Sequence, residues 1–347
     1  MIGVCSHIAT GSSAVTDLLR EFEETQVLDS IEFIFTYFPD GLEDLEYHVK
    51  NYHKYMSSVV AINRFRKFMN RTVFKRATCG QVNKAVETFL NNIIQFSWNG
   101  HGAIDTIVCS SRKMFIRKCA FRIANRPLLR KLFEIYLYSF CYKMELSIAP
   151  DKFDEASKNF VTEILNAMGQ EPCKITVLDQ SFEGCNPVKS FKYFENPKAI
   201  VVDRDPRDHY LFVKNFLRPR GIGFQIPCDN VDDYIKYYRL IRKYPPGLQE
   251  RNDIFFLNFE ELIYNYENTI KKISDFVGAT QHLHKGTYFK PTHSRSNTQL
   301  FKKYAGFEED IVKIESNLSE YLFHFENYPD MESEGGMFWG SQSRKKR

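Results

Sequence analysis

Short apolar runs alternate with amphipathic stretches along most of this chain. Residues 2–6, 175–178, 199–202 and 254–258 are brief apolar runs typical of strands that are buried on both faces. Between them, apolar residues recur at three- and four-residue steps, as in residues 14–22, which is the spacing of one helix face. This alternation predicts an α/β fold with a central parallel sheet covered by helices on both faces.

A further strand and a long helical region are expected after the first helix. Residues 31–38 are apolar and aromatic and end in the turn sequence Pro-Asp-Gly, so they are predicted to form the second strand. From residue 42 to about residue 160 the pattern is mostly helical. We predict one domain, residues 1–328, with a large helical insertion at about 42–170, followed by a disordered tail, residues 329–347.

Composition narrows the class of protein. The chain is 43% hydrophobic and 26% charged, which is ordinary for a globular protein with a substantial core. Its net charge of +4 is too small to indicate a nucleic-acid partner. The sequence shows no signal peptide, no apolar run of about 18 residues and no C-x-x-C pair among its scattered cysteines. We expect a cytoplasmic protein without a transmembrane segment or a zinc site.

The loop between the first strand and the first helix is the first candidate site. It contains Thr10, Gly11, Ser12 and Ser13. A helix N-terminus presents free N–H groups and positive partial charge, Gly11 permits close approach, and the hydroxyls add donors, so the loop suits a phosphate. It is not a Walker A loop, because that motif and its lysine are absent. An ordinary helix cap made by Ser12 or Ser13 is the alternative.

A second candidate follows the strand at residues 199–202. The sequence there is Asp-Arg-Asp-Pro-Arg-Asp, and Arg204 comes at the carboxyl end of the strand, where open α/β sheets bind ligands. A guanidinium can grip a phosphate with two hydrogen bonds, and Pro206 suits the first turn of a helix. The alternative is a local ion pair between Arg204 and Asp208.

A third candidate lies late in the chain, at residues 291–302. This stretch is polar and basic, contains Arg295, Ser296 and Asn297, and is flanked by Phe and Tyr. Such a loop can close over an anionic ligand. The alternative is an exposed loop without a ligand.

Together the three segments resemble the sulfotransferases that use 3′-phosphoadenosine 5′-phosphosulfate (PAPS). In that family an N-terminal strand–loop–helix binds the 5′-phosphosulfate, an Arg-Asp-Pro-Arg-Asp motif binds the 3′-phosphate, and a late basic loop covers the nucleotide. Residues 258–262 look like another motif of the family, and residues 39–46 and 177–187 resemble its bacterial carbohydrate-type branch. The resemblance implies a P-loop-like three-layer fold, PAPS as co-substrate, no metal, and a hydroxyl acceptor on a carbohydrate or a cell-surface glycan or lipid precursor.

Two positions depart from the family pattern. The family usually has Lys or Arg where this chain has Ala9, and that cation helps to neutralise the bridging oxygen as the sulfuryl group leaves. His7, or a cation from elsewhere in the chain, is the expected substitute. The family also usually has a 3′-phosphate-binding Ser where this chain has Phe212.

Sulfuryl transfer also requires a general base for the acceptor hydroxyl. Asp44 and Asp40, soon after the predicted second strand, are the preferred carboxylates, although each is also typical of a turn or a helix start. His101, between two glycines, is the histidine alternative.

Two other functions stay open at this stage. One is a P-loop nucleotide kinase, which the missing Walker lysine disfavours. The other is a nucleotide-binding homologue without catalytic activity, which Ala9 favours. No pattern indicates an oligomeric state.

Overall fold

A computed structural model describes residues 1–100, 141–329 and 331–340, together with positions 112, 115, 116, 118, 119 and 122. The chain forms two compact units. The first unit comprises residues 1–34 and 170–347, and the second comprises residues 35–169.

A five-stranded parallel sheet is the centre of the first unit. Its strands are β1 (Ile2–Ser6), β2 (Thr25–Leu28), β5 (Ile175–Asp179), β6 (Lys198–Asp203) and β7 (Ile254–Asn258). They lie in the order β2-β5-β1-β6-β7, and every neighbouring pair is parallel. The predicted α/β class with a central parallel sheet is therefore confirmed. Since β1 is the middle strand, the loop that follows it lies between the ends of β5 and β6.

Helices cover this sheet. In the first unit they are α1 (Ser12–Leu19), α7 (Val188–Phe191), α8 (Pro206–Phe212), α9 (Val231–Leu240), α10 (Glu261–Tyr264), α11 (Tyr266–Val277), α12 (Pro291–Ser294) and α13 (Glu308–Asn317). Ile2 and Val4 of β1 pack in one core cluster with Leu18 of α1 and Ile273 of α11. The other face of β1 lies against Phe182, because a Cβ added to Gly3 would meet that ring. Alternate residues of β1 thus pack on opposite faces of the sheet.

The prediction of the second strand is wrong. The strand is Thr25–Leu28, which pairs with β5 from Thr25 opposite Ile175, whereas Ile34–Thr36 is a single 3₁₀ turn. Phe33 and Phe35 are fully buried there. The apolar pattern of residues 31–38 therefore reports core packing and not sheet pairing, because burial alone does not distinguish a strand from a buried turn.

The described residues of the second unit are mainly helical, and they also form a hairpin. Its helices are α2 (Leu42–Asn51), α3 (Tyr55–Met69), α4 (Thr72–Ala77), α5 (Val82–Ile93) and α6 (Phe153–Ala167). The prediction of mostly helical structure from residue 42 to about residue 160 missed two antiparallel strands, β3 (Phe96–Gly100) and β4 (Tyr142–Leu146). Trp98 of β3 and Met144 of β4 pack with Val59 of α3, so the pairing depends on partners distant in sequence.

Two further observations concern the described residues only. None of their helices has the length and apolar character that crossing a bilayer requires. Cysteines 5, 79, 119, 141, 173, 185 and 228 are all free.

Candidate nucleotide-binding site

The three segments singled out in the sequence meet at the side chain of Arg204. This guanidinium is 3% exposed. Its Nη1 lies 3.4 Å from the carbonyl oxygen of Ala9, and its Nη2 donates to the carbonyl oxygen of Asn297. Arg204 therefore connects the loop after β1 and the late loop to the end of β6. In this arrangement its donors bind backbone carbonyls, and a direct grip on a phosphate stays a prediction.

Two aromatic rings flank the Arg204 guanidinium. Its central carbon lies 4.6 Å from the ring centroid of Phe212 and 5.4 Å from that of Phe259. Contacts of this kind are attractive because the ring face carries negative charge. Phe212, which stands where the resembling family has Ser, thus packs on the arginine. The Nε of Arg204 is buried without a hydrogen-bond partner in the described chain, and burial lowers the pKa of the guanidinium.

The loop after β1 is held in an unusual backbone conformation. Ile8 and Ala9 have φ values of 36° and 64°, a region that non-glycine residues adopt at a cost of about 1–3 kcal/mol. The ring Nε2 of His209 lies 3.0 Å from the carbonyl oxygen of Ile8, and Arg204 binds the next carbonyl. Thr10 is buried and donates to the carbonyl oxygen of Val202 at 2.6 Å. Neighbouring β6 and α8 thus fix the shape of the loop.

The open part of the loop is its junction with α1. Gly11 stands at the N-cap, and no side chain caps the helix there. Gly11, Ser12 and Ser13 are half-buried, unlike Thr10. The Oγ of Ser12 accepts a hydrogen bond from the Nε2 of Gln180 at 2.8 Å. The free N–H groups of the first helical turn and the positive end of the helix dipole make this junction suitable for an anion.

The late loop is buried beneath the C-terminal segment. Arg295 donates to the carbonyl oxygen of Thr298 at 3.2 Å. The hydroxyl of Ser296 donates to the carbonyl oxygen of Gly336 at 3.1 Å. The side-chain amide of Asn297 both donates to the carbonyl oxygen and accepts from the N–H of Phe338. Described residues of the segment predicted to be a disordered tail thus contact two of these three residues.

Acidic residues of the Asp-Arg-Asp-Pro-Arg-Asp motif anchor the surrounding backbone. Asp205 caps α8, since its carboxylate accepts from the N–H of Arg207 at 2.8 Å. Asp208 accepts from the N–H groups of Gln299 at 2.7 Å and Leu300 at 2.6 Å. Burial, aided by the negative charge of Asp205, raises the pKa of Asp208 to about 7. The side chains of Arg204 and Asp208, which the alternative interpretation paired with each other, hydrogen-bond instead to the backbone of the first and late loops.

The buried Arg242 and the half-buried Asp203 form an ion pair that the sequence pattern did not reveal. The Nε and Nη2 of Arg242 donate to the two carboxylate oxygens of Asp203 at 2.7 and 2.6 Å. Burial alone would raise the pKa of Asp203, but the attraction of Arg242 outweighs it and holds the pKa at about 2. The position of Asp203 at the end of a strand was an available signal, whereas Arg242 lies 39 residues further along the chain.

His7 does not supply the cation missing at Ala9. The side chain is buried, and its Nε2 lies 2.9 Å from the hydroxyl of Tyr244. Burial first, and the positive charge of Arg242 second, lower the pKa of His7 to about 4. The imidazole is therefore neutral near pH 7.

The candidate general bases lie outside the first unit. In the second unit, Arg64 bridges Asp40 and Asp44, with its Nη2 2.5 Å and 3.2 Å from their carboxylate oxygens. Asp40 is not at the end of a strand, because it follows a turn and has a φ of 70°. Asp44 lies in the first turn of α2. His101 lies outside the described residues.

Among the described residues, no group of three or more His, Cys, Asp and Glu side chains is arranged to hold a metal ion.

Comparisons with known proteins give one structural similarity. The sulfotransferase domain from the Synechococcus PCC 7002 olefin synthase resembles this chain with a TM-score of 0.41 and 9% sequence identity, over 92% of this chain and 94% of that domain. No family model and no curated protein matches the sequence. A likeness of this size carries no conclusion about function, which is therefore argued from the residues.

Proposed function

We propose that this chain is a sulfotransferase that moves a sulfuryl group from PAPS to a hydroxyl of a carbohydrate or of a cell-surface glycan or lipid precursor. The observation that carries the proposal is the convergence of three separate segments on Arg204, beside the uncapped start of α1. Loops after parallel strands are where open α/β sheets bind ligands. The same three segments carry the resemblance to the PAPS-dependent family.

The open start of α1 is the part of the site that would hold the phosphosulfate end of the donor. The N–H groups of Ser12 and Ser13 and the helix dipole provide donors and positive potential without a metal. Arg204 contributes by fixing the carbonyls of Ala9 and Asn297, and its buried Nε adds positive charge behind the loop. The late loop, with Arg295, supplies the cover.

The chemistry that this assignment implies is an in-line displacement. The bond between sulfur and the donor's phosphate oxygen breaks while sulfur bonds to the acceptor oxygen, and adenosine 3′,5′-bisphosphate leaves. The hydroxyl proton passes to a general base, for which Asp44 and Asp40 are the candidates and His101 is the alternative. Charge spreads over the sulfuryl oxygens in the transition state, so positioned N–H donors contribute most.

The binding step is testable by calorimetry with adenosine 3′,5′-bisphosphate and the variant Ser13→Glu. A glutamate in the first turn is favourable for the helix, so the protein should fold normally. Its negative charge would occupy the anion position, and bisphosphate affinity should fall at least tenfold. Ser13→Ala is the matched control and should bind within a few-fold of the wild type. Equal affinity in the wild type and Ser13→Glu would remove the first loop from the site.

A non-catalytic nucleotide-binding protein is the second candidate function. Two observations favour it, since Ala9 stands in the place of the family's cation and His7 is neutral near pH 7. Bisphosphate binding without sulfate transfer to any acceptor in a broad carbohydrate screen would establish it. A P-loop kinase predicts the opposite ligand preference, namely stabilisation by ATP with Mg²⁺ and not by the bisphosphate.

The remaining expectations concern partners and location. We propose a carbohydrate acceptor on the basis of the family resemblance, and no nucleic-acid partner on the basis of the weak net charge of +4. We propose a cytoplasmic location because the scattered cysteines suit a reducing compartment. Size-exclusion chromatography with light scattering would determine the oligomeric state.

A further inference from the structure

We propose that the C-terminal strap, residues 334–339, is a displaceable inhibitory cover on the late loop, and that strap docking and nucleotide binding exclude each other. The proposal rests on the proposed function, because it concerns the regulation of that same site. It is carried by the contacts of the strap, which engage the side chains that the nucleotide would need.

Hydrogen bonds attach the strap to the late loop at three levels. The N–H of Glu334 donates to the carbonyl oxygen of Thr292 at 3.0 Å. The carbonyl oxygen of Gly336 accepts from Ser296 at 3.1 Å. The N–H and carbonyl of Phe338 pair with the amide of Asn297 at 3.2 and 3.1 Å. The strap therefore binds the loop along its length.

Aromatic contacts extend the strap towards Arg204. The ring of Phe338 stacks on His293, with centroids 4.4 Å apart. Trp339 lies 6.2 Å from the ring of Phe212, which packs on the Arg204 guanidinium. The strap thus reaches from the late loop to the residue at which the three segments meet.

The docked strap and a bound anion compete for the same donors. The amide of Asn297 donates to the carbonyl oxygen of Phe338, and the single proton of the Ser296 hydroxyl is shared between the carbonyl oxygens of His293 at 2.8 Å and Gly336 at 3.1 Å, so the docked strap engages both donors. Phe338 is 8% exposed, whereas Trp339 is 45% exposed and residues 334–336 are also exposed, so one buried ring anchors the strap. A segment held by one buried ring and a few hydrogen bonds can undock, and the fraction of undocked molecules scales the apparent affinity of the ligand.

The experiment uses the full chain and the double variant Phe338→Asp/Trp339→Asp, which removes both aromatic anchors. Bisphosphate affinity is measured by calorimetry, and Phe224→Asp is the matched control, because Phe224 is a 65% exposed ring elsewhere in the first unit. If the strap is docked in about nine molecules in ten, the double variant should bind about tenfold more tightly. Phe224→Asp should bind as the wild type does.

A second readout follows the strap itself. The sequence contains two tryptophans, so Trp98→Phe leaves Trp339 as the only one. Addition of bisphosphate should shift the Trp339 emission to longer wavelength and increase its quenching by iodide, as the ring leaves Phe212.

The outcomes separate the two proposals. If the wild type binds bisphosphate but the double variant binds equally or more weakly, the strap proposal is overturned and the proposed function stands. Binding with unchanged Trp339 emission overturns it as well. If no variant binds bisphosphate, the proposed function fails and the inhibitory role fails with it.

Discussion

The carboxylate of Asp208 holds the backbone of Leu300, whose N–H donates to it at 2.6 Å. The neighbouring N–H of Gln299 donates to the other carboxylate oxygen at 2.7 Å. One buried side chain at the start of α8 thus fixes the end of the late loop, 92 residues further along the chain. The geometry of the candidate site therefore depends on hydrogen bonds between residues that are far apart in the sequence.

This anchor predicts a pH-dependent stability. Burial raises the pKa of Asp208 to about 7, above the value of about 3.9 for an unfolded chain. The folded state therefore binds this proton more tightly, so the contribution is complete below about pH 4 and is lost as the pH rises through about 7. Urea unfolding of the wild type and Asp208→Asn between pH 4 and 8 measures it. As the pH rises from 4 to 8, the free energy of unfolding of the wild type should fall relative to that of Asp208→Asn. The fall should be about 1.4 kcal/mol for each unit by which folding raises the pKa of Asp208.

Asp208→Asn itself replaces one acceptor oxygen by an amide, which should destabilise the protein by about 1–3 kcal/mol at every pH. This constant destabilisation is separate from the change of the stability difference with pH. A stability difference that stays constant from pH 4 to 8 would contradict the raised pKa.

The pair formed by Asp203 and Arg242 predicts strong coupling. Arg242→Met would leave the half-buried Asp203 carboxylate without its cation and should destabilise the protein by about 1–3 kcal/mol at pH 7. The added change Asp203→Asn should recover much of this loss, as urea unfolding of the double variant would show. If the two single effects simply add, the pair is not coupled.

The same pair predicts that the fold loses stability in acid. Arg242 holds the pKa of Asp203 at about 2, below its unfolded value of about 3.9. A depressed pKa stabilises the fold above about pH 4, and this contribution is lost as the pH falls through about 2. Asp203→Asn should therefore show a smaller loss of stability between pH 4 and 2 than the wild type.

Gly11 is predicted to tolerate no side chain. Its φ is +106°, and an added Cβ would lie 2.5 Å from the ring of Phe259. Gly11→Ala combines left-handed strain with a clash and should destabilise the protein by about 2–5 kcal/mol. Gly80→Ala is the control, because Gly80 also has a positive φ of +83° but open space around it. Similar losses of melting temperature in the two variants would show that the ring of Phe259 moves to make room for the added Cβ.

The assignment of the base predicts a loss of turnover and not of binding. Asp44→Asn should lower kcat about 10²–10⁴-fold with the acceptor that a screen identifies, while bisphosphate affinity stays unchanged. Lys50→Ala, on the same helix, is the control and should keep its activity. Full turnover in both Asp44→Asn and Asp40→Asn would transfer the role to another residue, such as His101.

The local sequence was sufficient for much of the sheet. Residues 254–258 coincide with the observed strand, and the apolar runs at 175–178 and 199–202 lie within observed strands. The runs in β5 and β6 are largely buried on both faces, so their composition reports their environment directly. The same reasoning failed at residues 31–38, where buried phenylalanines belong to a turn.

The sequence by itself determined where four of the five sheet strands end, to within one residue, and the chemical types placed there, including Arg204 after β6. A strand end depends on local patterning and turn chemistry, which neighbouring residues encode. Only the tertiary structure decided what each side chain binds: Arg204 holds Ala9 and Asn297, while Phe338 lies on the late loop. These partners are tens to hundreds of residues apart, and burial makes each polar group take whichever partner the fold brings near.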